Sequence, residues 1–370
     1  KSFKITSGIK TKNFQNSFKK KLKISNALMV NSGSSANLLA LQCLINPYRK
    51  KRLKRGDEIL IPSLCWSTSL WPIIQSGLKP KFVDIERSTL NIDLKDLKSK
   101  ITKKTKGILI VHVLGNSTNM NELMKIKKKH NLYLIEDTCE SLGTKFKNKY
   151  LGSFGEFSSF SFYSSHQISS GEGGMVCCKN QEDFEILKAL RAHGWSRGLK
   201  NEQKISNQNK HLDKRFIFYN SGFNVRSTDI AASIGLSQFK DLDKFIKIRN
   251  LNRKKIINEL NKSKVSDKIT IIKENEGIKA SWFGIPIILS KKINKKLFIK
   301  KIEKKGVETR PIISGNFLKQ PSVKKYNLKA NSKMENADYI NNYGFFIGLP
   351  TKPISSLIIK KLIKVFEQSA

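Results

Sequence analysis

The chain has 370 residues, 70 Lys and Arg against 29 Asp and Glu, and a formal net charge of +41. Its 39% apolar content excludes a disordered polycation, and the lack of any run near 18 apolar residues excludes a membrane-spanning helix. Fifty-nine of the 70 cations are Lys, scattered in short solvated runs and not gathered on one element, so the charge reads as compositional drift and not as a nucleic-acid surface.

At about 150 residues per domain the length predicts two domains. The start, Lys1-Ser2-Phe3-Lys4, has neither Met nor an apolar h-region. It is no secretory leader and reads as a chain whose own beginning is missing. Residues 13–23 form an amphipathic helical stretch, with Phe14, Phe18 and Leu22 four apart. A short apolar run, 27–30, leads into a Gly/Ser turn, 31–37, and a buried helix, 38–45. Strand, turn and helix together offer free N–H groups to an anion, although the spacing matches neither the dinucleotide nor the P-loop fingerprint.

Strands are predicted at 58–62, 81–84, 107–113, 132–137, 157–162 and 174–178, with helices at 67–76 and 120–130. This alternation argues for an α/β fold with a mostly parallel sheet covered by helices. Ligands in such sheets collect at the carboxyl ends of strands, where Ser34, Asp137 and Ser161 fall. Beyond residue 243 the composition shifts to a long charged helix, 242–261, a strand, 282–289, and Lys-rich helices. The expected division is a large domain over 1–243 and a smaller α+β domain over 244–370. The five Cys, at 43, 65, 139, 177 and 178, are odd in number and show no CxxC spacing. Reduced, buried thiols in the cytoplasm and no metal site are expected.

Six motifs occur in one order and spacing: SGSSAN (32–37), GDEILIPSLCWSTS (56–69), EDTCESLG (136–143), SFSFYSSHQISSGEGGMV (159–176), RAHGWSR (191–197) and GFNVR (222–226). Together they resemble the DegT/DnrJ/StrS family of sugar aminotransferases over nearly the whole chain. The resemblance implies the fold-type-I architecture of pyridoxal phosphate enzymes, a seven-stranded sheet, a homodimer with shared active sites, and pyridoxal or pyridoxamine phosphate as cofactor. In that setting Asp137 would pair with the pyridine nitrogen of the cofactor; read alone, it could cap the next helix. Glu140 would assist or lie on a solvated face. Gly33, Ser34 and Ser161 would hold the phosphate, against a reading as turn and N-cap residues. Trp66 would stack on the ring, against a buried core Trp. Asn224 would reach the phosphate across the dimer interface.

One position departs from the family pattern. Five residues before Gly171-Glu172-Gly173-Gly174, where family aminotransferases carry the catalytic Lys, stands His166. Imidazole cannot condense with an aldehyde as a Lys amine does, yet it is a base near neutral pH. No Lys or Arg lies between residues 151 and 178. Within the family this exchange marks sugar 3-dehydratases. The iron–sulfur branch, which acts on CDP-sugars, needs clustered Cys that are absent from this pattern. The resemblance, extended by RPIISGNFLK (310–319), therefore implies the branch acting on a GDP-linked 4-keto-6-deoxymannose. L-Glutamate would regenerate the amine form of the cofactor. The alternatives are an aminotransferase without its Lys and a CDP-sugar 3-dehydratase without a cluster. His193, Arg197 and Arg226 would line the sugar-nucleotide or glutamate site, where Arg suits phosphate and carboxylate; each could equally be a surface residue. Ser165 would orient His166, and residues 3–6 would line the substrate.

Overall fold

A computed structural model describes residues 5–330 and 332–370. Seven segments form the central sheet: β1 (Asn26–Val30), β2 (Glu58–Pro62), β3 (Lys79–Val83), β4 (Thr105–Val111), β5 (Tyr133–Asp137), β6 (Phe157–Ser161) and β7 (Gly174–Cys178), in the order β1-β7-β6-β5-β4-β2-β3. The run from β6 through β5, β4 and β2 to β3 is parallel. Only β7 runs against both its neighbours. Strands buried on both faces are largely apolar, and the expected strands lie within two residues of the observed ones; the edge strand β3 (KPKFV) with its exposed Lys79 and the buried β6 (FSSFS) depart from that rule.

Two helix starts differ from expectation, each for a capping reason. Helix α2 (Gly33–Leu44) begins five residues before the apolar run, because Ser32 accepts a hydrogen bond from Ser35 N at 3.1 Å and draws the Gly/Ser turn into the first helical turn. Helix α1 (Ile9–Leu22) begins four residues early because its cap comes from far along the chain. The Asp229 carboxylate accepts from the N–H groups of Gly8, Lys10 and Thr11 and from Thr11 Oγ1, at 2.6–3.0 Å. Phe14 and Phe18 on α1 then pack on Phe162 (5.1 Å between centroids) and Phe160 (4.9 Å), which fixes the helix against the β6 side of the sheet.

The later part of the chain builds an antiparallel sheet in the order Ile269–Ile271, Gly284–Leu289, Gly344–Gly348, Thr309–Arg310. The helices Lys295–Lys304 and Ser356–Glu367 pack together through Phe298 and Phe366. The long helix Leu242–Asn261 connects the two parts, so the expected division near residue 243 falls in its first turn. A ribbon formed by Ile278–Lys279 and Lys145–Phe146 ties them together, and one apolar core runs from the first sheet into the second. All five cysteines are free, and Cys177 and Cys178 lie in different clusters, on opposite faces of β7. Among the described residues no three His, Cys, Asp or Glu side chains gather as metal ligands. No described helix is long and apolar enough to cross a membrane.

Candidate active site

Strand alternation sends the two carboxylates at the end of β5 to opposite faces. Glu136 is fully buried and accepts from His112 Nε2 (3.1 Å) and from the N–H groups of Gly152, Phe154 and Gly155 (2.7–2.8 Å). Its lone pairs are used up in holding the 152–155 turn. Asp137 faces α2 and helix α3 (Ser67–Gln75), and both donate to one of its oxygens: Asn37 Nδ2 at 2.8 Å and Ser69 Oγ at 2.7 Å reach Oδ2. Among the described residues its Oδ1 accepts only from Cys139 N, at 3.2 Å. No helix follows Asp137; residues 138–144 form turns. The helix-cap alternative therefore fails.

The cradle for an anion is built by close backbone approach. A Cβ on Gly33 would stand 2.6 Å from Cys139 Sγ and 2.8 Å from Ser161 Cβ. One on Gly174 would stand 2.4 Å from the Ser32 carbonyl carbon. Both glycines are needed for proximity, which seats the N-terminus of α2 on the ends of β6 and β7. Ser34 Oγ meets Thr68 Oγ1 at 2.7 Å and so joins the starts of α2 and α3. Trp66, just before α3, is 55% exposed. It presents a free aromatic face, so the buried-core alternative fails as well.

His166 sits in an irregular loop, half-buried, with its ring edge-on to Phe283 (5.4 Å) and Tyr163 (5.8 Å). Its Nδ1 is buried without a hydrogen-bond partner. Burial pushes the imidazole pKa down to about 4, against the opposing charge of Asp137, so the ring is neutral at physiological pH. Glu140 accepts from Leu114 N at 3.1 Å. Burial raises its carboxyl to about 8, the Leu114 N–H opposes this, and Asp137 adds to it. Glu140 is thus shifted toward its protonated form and lies against the Leu114 main chain, not on a solvated face.

Ser165 was expected to orient His166. Ser165 is exposed, and no hydrogen bond joins it to His166 among the described residues. The loop is held instead by Gln167 Nε2, which donates to the carbonyls of Glu140 and Ser281, and by Arg249. His193, Asn224 and Arg226 come together at a second place. Arg226 donates to His193 Nε2 and to Asn224 Oδ1, both at 3.1 Å. Arg197 and Arg226 stack on Trp195 at 5.1 and 5.3 Å. A bridge from Val30 to Arg226 lays this segment beside the end of β1. No hydrogen bond among the described residues links it to His166, Asp137 or Ser34. Of residues 3–6, Phe3 and Lys4 lie outside the described residues, and Thr6 bridges Thr228.

Sequence reasoning missed Asn37, Ser69, Gln167 and Arg249. The first three stand inside the quoted motifs, whereas Arg249 carries no local signal. The constellation fits pyridoxal phosphate: a close-approach cradle at a helix N-terminus, an exposed indole, a carboxylate with one oxygen lightly used, and an orphaned imidazole nitrogen.

The model of the DegT/DnrJ/EryC1/StrS aminotransferase family matches residues 1–354. The chain is 38% identical over 349 residues to a GDP-4-keto-6-deoxy-D-mannose 3-dehydratase of Escherichia coli O55:H7, covering 93% of this chain and 88% of that protein. It is 39% identical over 350 residues to the protein of the same name from Yersinia pseudotuberculosis, covering 93% and 87%. A solved GDP-4-keto-6-deoxymannose-3-dehydratase with a trapped PLP-glutamate geminal diamine superposes with a TM-score of 0.90 at 36% identity, covering 98% of this chain and 93% of that one. A His-to-Asn variant of that enzyme with bound GDP-perosamine superposes with a TM-score of 0.91 at 36% identity, covering 98% and 94%.

Proposed function

This chain belongs to the DegT/DnrJ/EryC1/StrS aminotransferase family, and we propose that it removes the C3 hydroxyl of a GDP-linked 4-keto-6-deoxymannose with pyridoxamine phosphate and L-glutamate. The observation that carries this reading is His166. A neutral imidazole with a free buried nitrogen occupies the place of the family's Lys, next to the Asp137 carboxylate. When bound, the cofactor supplies an amine for the sugar ketone and a pyridine ring that accepts electrons. Asp137 would hold the ring nitrogen through Oδ1, with Asn37 and Ser69 fixing its rotamer. Trp66 would cover one ring face, and Gly33, Ser34 and Ser161 would bind the phosphate. His166 would take up a proton at its free ring nitrogen and return it to the departing hydroxyl. Over one turnover the sugar loses one oxygen at C3, and glutamate supplies two electrons and leaves as 2-oxoglutarate and ammonia.

His193, Arg197 and Arg226, with the Trp195 platform, are assigned to phosphate or carboxylate binding, and Ser165 to the exposed rim of the site. The working unit in this reading is a homodimer. Ile5, Ile9, Ile230 and Ile234 are 45–63% exposed around the α1 terminus, and Asn224 is exposed, where it can serve the phosphate site of a second copy. Residues 1–243 are taken as the cofactor domain and 244–370 as the smaller one. The free cysteines support a cytoplasmic setting. The test incubates the protein with PLP, L-glutamate and either GDP- or CDP-linked 4-keto-6-deoxy sugar. A 3-deoxy-4-keto product from the GDP sugar, with ammonia released, is expected. A stable 4-amino sugar would instead show an aminotransferase, and turnover of the CDP sugar alone would overturn the nucleotide assignment.

A further inference from the structure

Arg249 lies in the middle of the long helix Leu242–Asn261 and is only 7% exposed. Each of its three guanidinium nitrogens is spent on a main-chain carbonyl. Nη2 donates to His166 O (3.1 Å), Nη1 to Gln167 O (3.2 Å) and Nε to Leu349 O (3.0 Å). No carboxylate pairs with it among the described residues. Burial lowers its pKa to about 10, so the group stays charged at neutral pH. A buried cation held by carbonyl dipoles alone is an expensive way to stabilise a fold, and the place where it acts is informative. Two of its three bonds go to consecutive carbonyls, those of His166 and of the next residue, and a planar fork spans such a pair as an ammonium cannot. One turn further on, Asn252 donates to the carbonyls of Pro350 (3.1 Å) and Lys352 (2.8 Å) and accepts from Ile354 N (3.0 Å). The helix is thereby locked to the 349–354 segment, and Arg249 reaches from that rigid base into the His166 loop.

The loop has little else to hold it. Residues 163–165 are exposed and irregular, and the other restraints include His166 N to Tyr163 O (3.0 Å), Tyr163 N to Ser161 Oγ (3.3 Å), Ser170 N to Phe162 O (2.9 Å) and the Gln167 side chain. We propose that Arg249 is a positioning residue for His166, clamping the peptides that follow the imidazole and tying them through Leu349 to the C-terminal part of the chain. The inference rests on the reading of His166 as the base. Its second consequence is electrostatic. The charged groups facing the imidazole are Asp137 from β5 and Arg249 from the long helix, with the Ser161 main chain beside it and the rings of Phe283 and Tyr163 at its edges. Asp137 favours the protonated ring, whereas Arg249 opposes it and helps keep the base free.

The experiment uses the full chain with PLP bound, as R249K, R249M and H166N. Turnover is followed together with the His166 side-chain NMR titration. R249K keeps the charge and loses the fork, and is expected to lower kcat about 10- to 100-fold with KM for the sugar within about twofold. R249M is expected to lower kcat at least as far and to move the His166 titration midpoint upward. Unchanged cofactor absorbance would show that the site is still formed. If R249M does not fold, R249K decides through kcat and the His166 resonances. Wild-type kcat in R249K overturns the proposal. So does a kcat loss in which the His166 resonances do not move, since that marks a general structural role. H166N separates the two readings: full turnover in H166N would sink the base assignment, while the response of the His166 signals to R249K would still report on the clamp.

Discussion

Gly33→Ala is the sharpest perturbation of the cradle. The backbone at Gly33 is helical and accepts Ala without strain, so any effect is steric. The new Cβ would lie 2.6 Å from Cys139 Sγ and 2.8 Å from Ser161 Cβ, where ordinary contact starts at 3.4 Å. Cys139 Sγ can swing about one torsion, but Ser161 Cβ is fixed to its backbone, so the end of β6 must yield by about 0.6 Å. Overpacking of this size costs ~1–3 kcal/mol of stability. It also exceeds the ~0.5 Å tolerance of a preorganised site. Losing one charge-assisted bond from the helix N-terminus to phosphate, worth ~1.5–3 kcal/mol, weakens PLP binding about 10- to 100-fold. PLP titration by absorbance and a thermal melt of the cofactor-free protein measure the two terms separately. Gly348→Ala is the control, since no atom lies within 4 Å of its Cβ and its φ is not left-handed. G33A binding PLP within twofold of wild type would refute the cradle.

His166→Lys should let borohydride fix the cofactor covalently to the chain, while the wild-type protein releases all of it on denaturation; mass spectrometry reads the adduct. Trp66→Ala should leave the melting temperature unchanged, because the ring is exposed. It should weaken PLP binding by ~0.5–1.5 kcal/mol, the range for one aromatic stack, measured by fluorescence titration. Burial alone would raise the Glu136 carboxyl, but bonds from His112 and the N–H groups of Gly155 and Gly152 outweigh it and lower the pKa. A depressed carboxyl contributes stability above its unfolded value near 4.3, and this is lost as pH falls through the folded value. Acid unfolding should therefore draw on Glu136 below about pH 4. E136Q should be less stable at pH 7 by ~3 kcal/mol or more and lack that limb in denaturant titrations. His166 shows the opposite charge logic. Its folded pKa, near 4, lies below the unfolded value of about 6.5. Its contribution is thus complete above about pH 6.5 and lost toward pH 4, and its NMR midpoint should fall well under 6.5.

By itself the sequence determined what local pattern can carry. Apolar runs placed the interior strands 58–62, 105–111 and 133–137, because a strand covered on both faces is largely apolar, whereas the edge strand KPKFV and the buried FSSFS took their place from the β/α alternation. The SGSSAN turn was legible as a helix N-terminus that offers N–H groups, and His at 166, within a Lys-free stretch of a Lys-rich chain, was legible as the departure from the family's Lys. What only the tertiary structure decided are the partners that chain reversal brings together. Asp229 caps a helix 218 to 221 positions away, and Asn37 and Ser69 reach Asp137 across 100 and 68 positions. Arg249, one more cation in a charged helix by pattern, becomes the clamp on His166 across 83 positions. Periodicity reports which face of an element is buried. It does not report which donor meets which acceptor, because that depends on elements whose separation along the chain bears no relation to their distance in space.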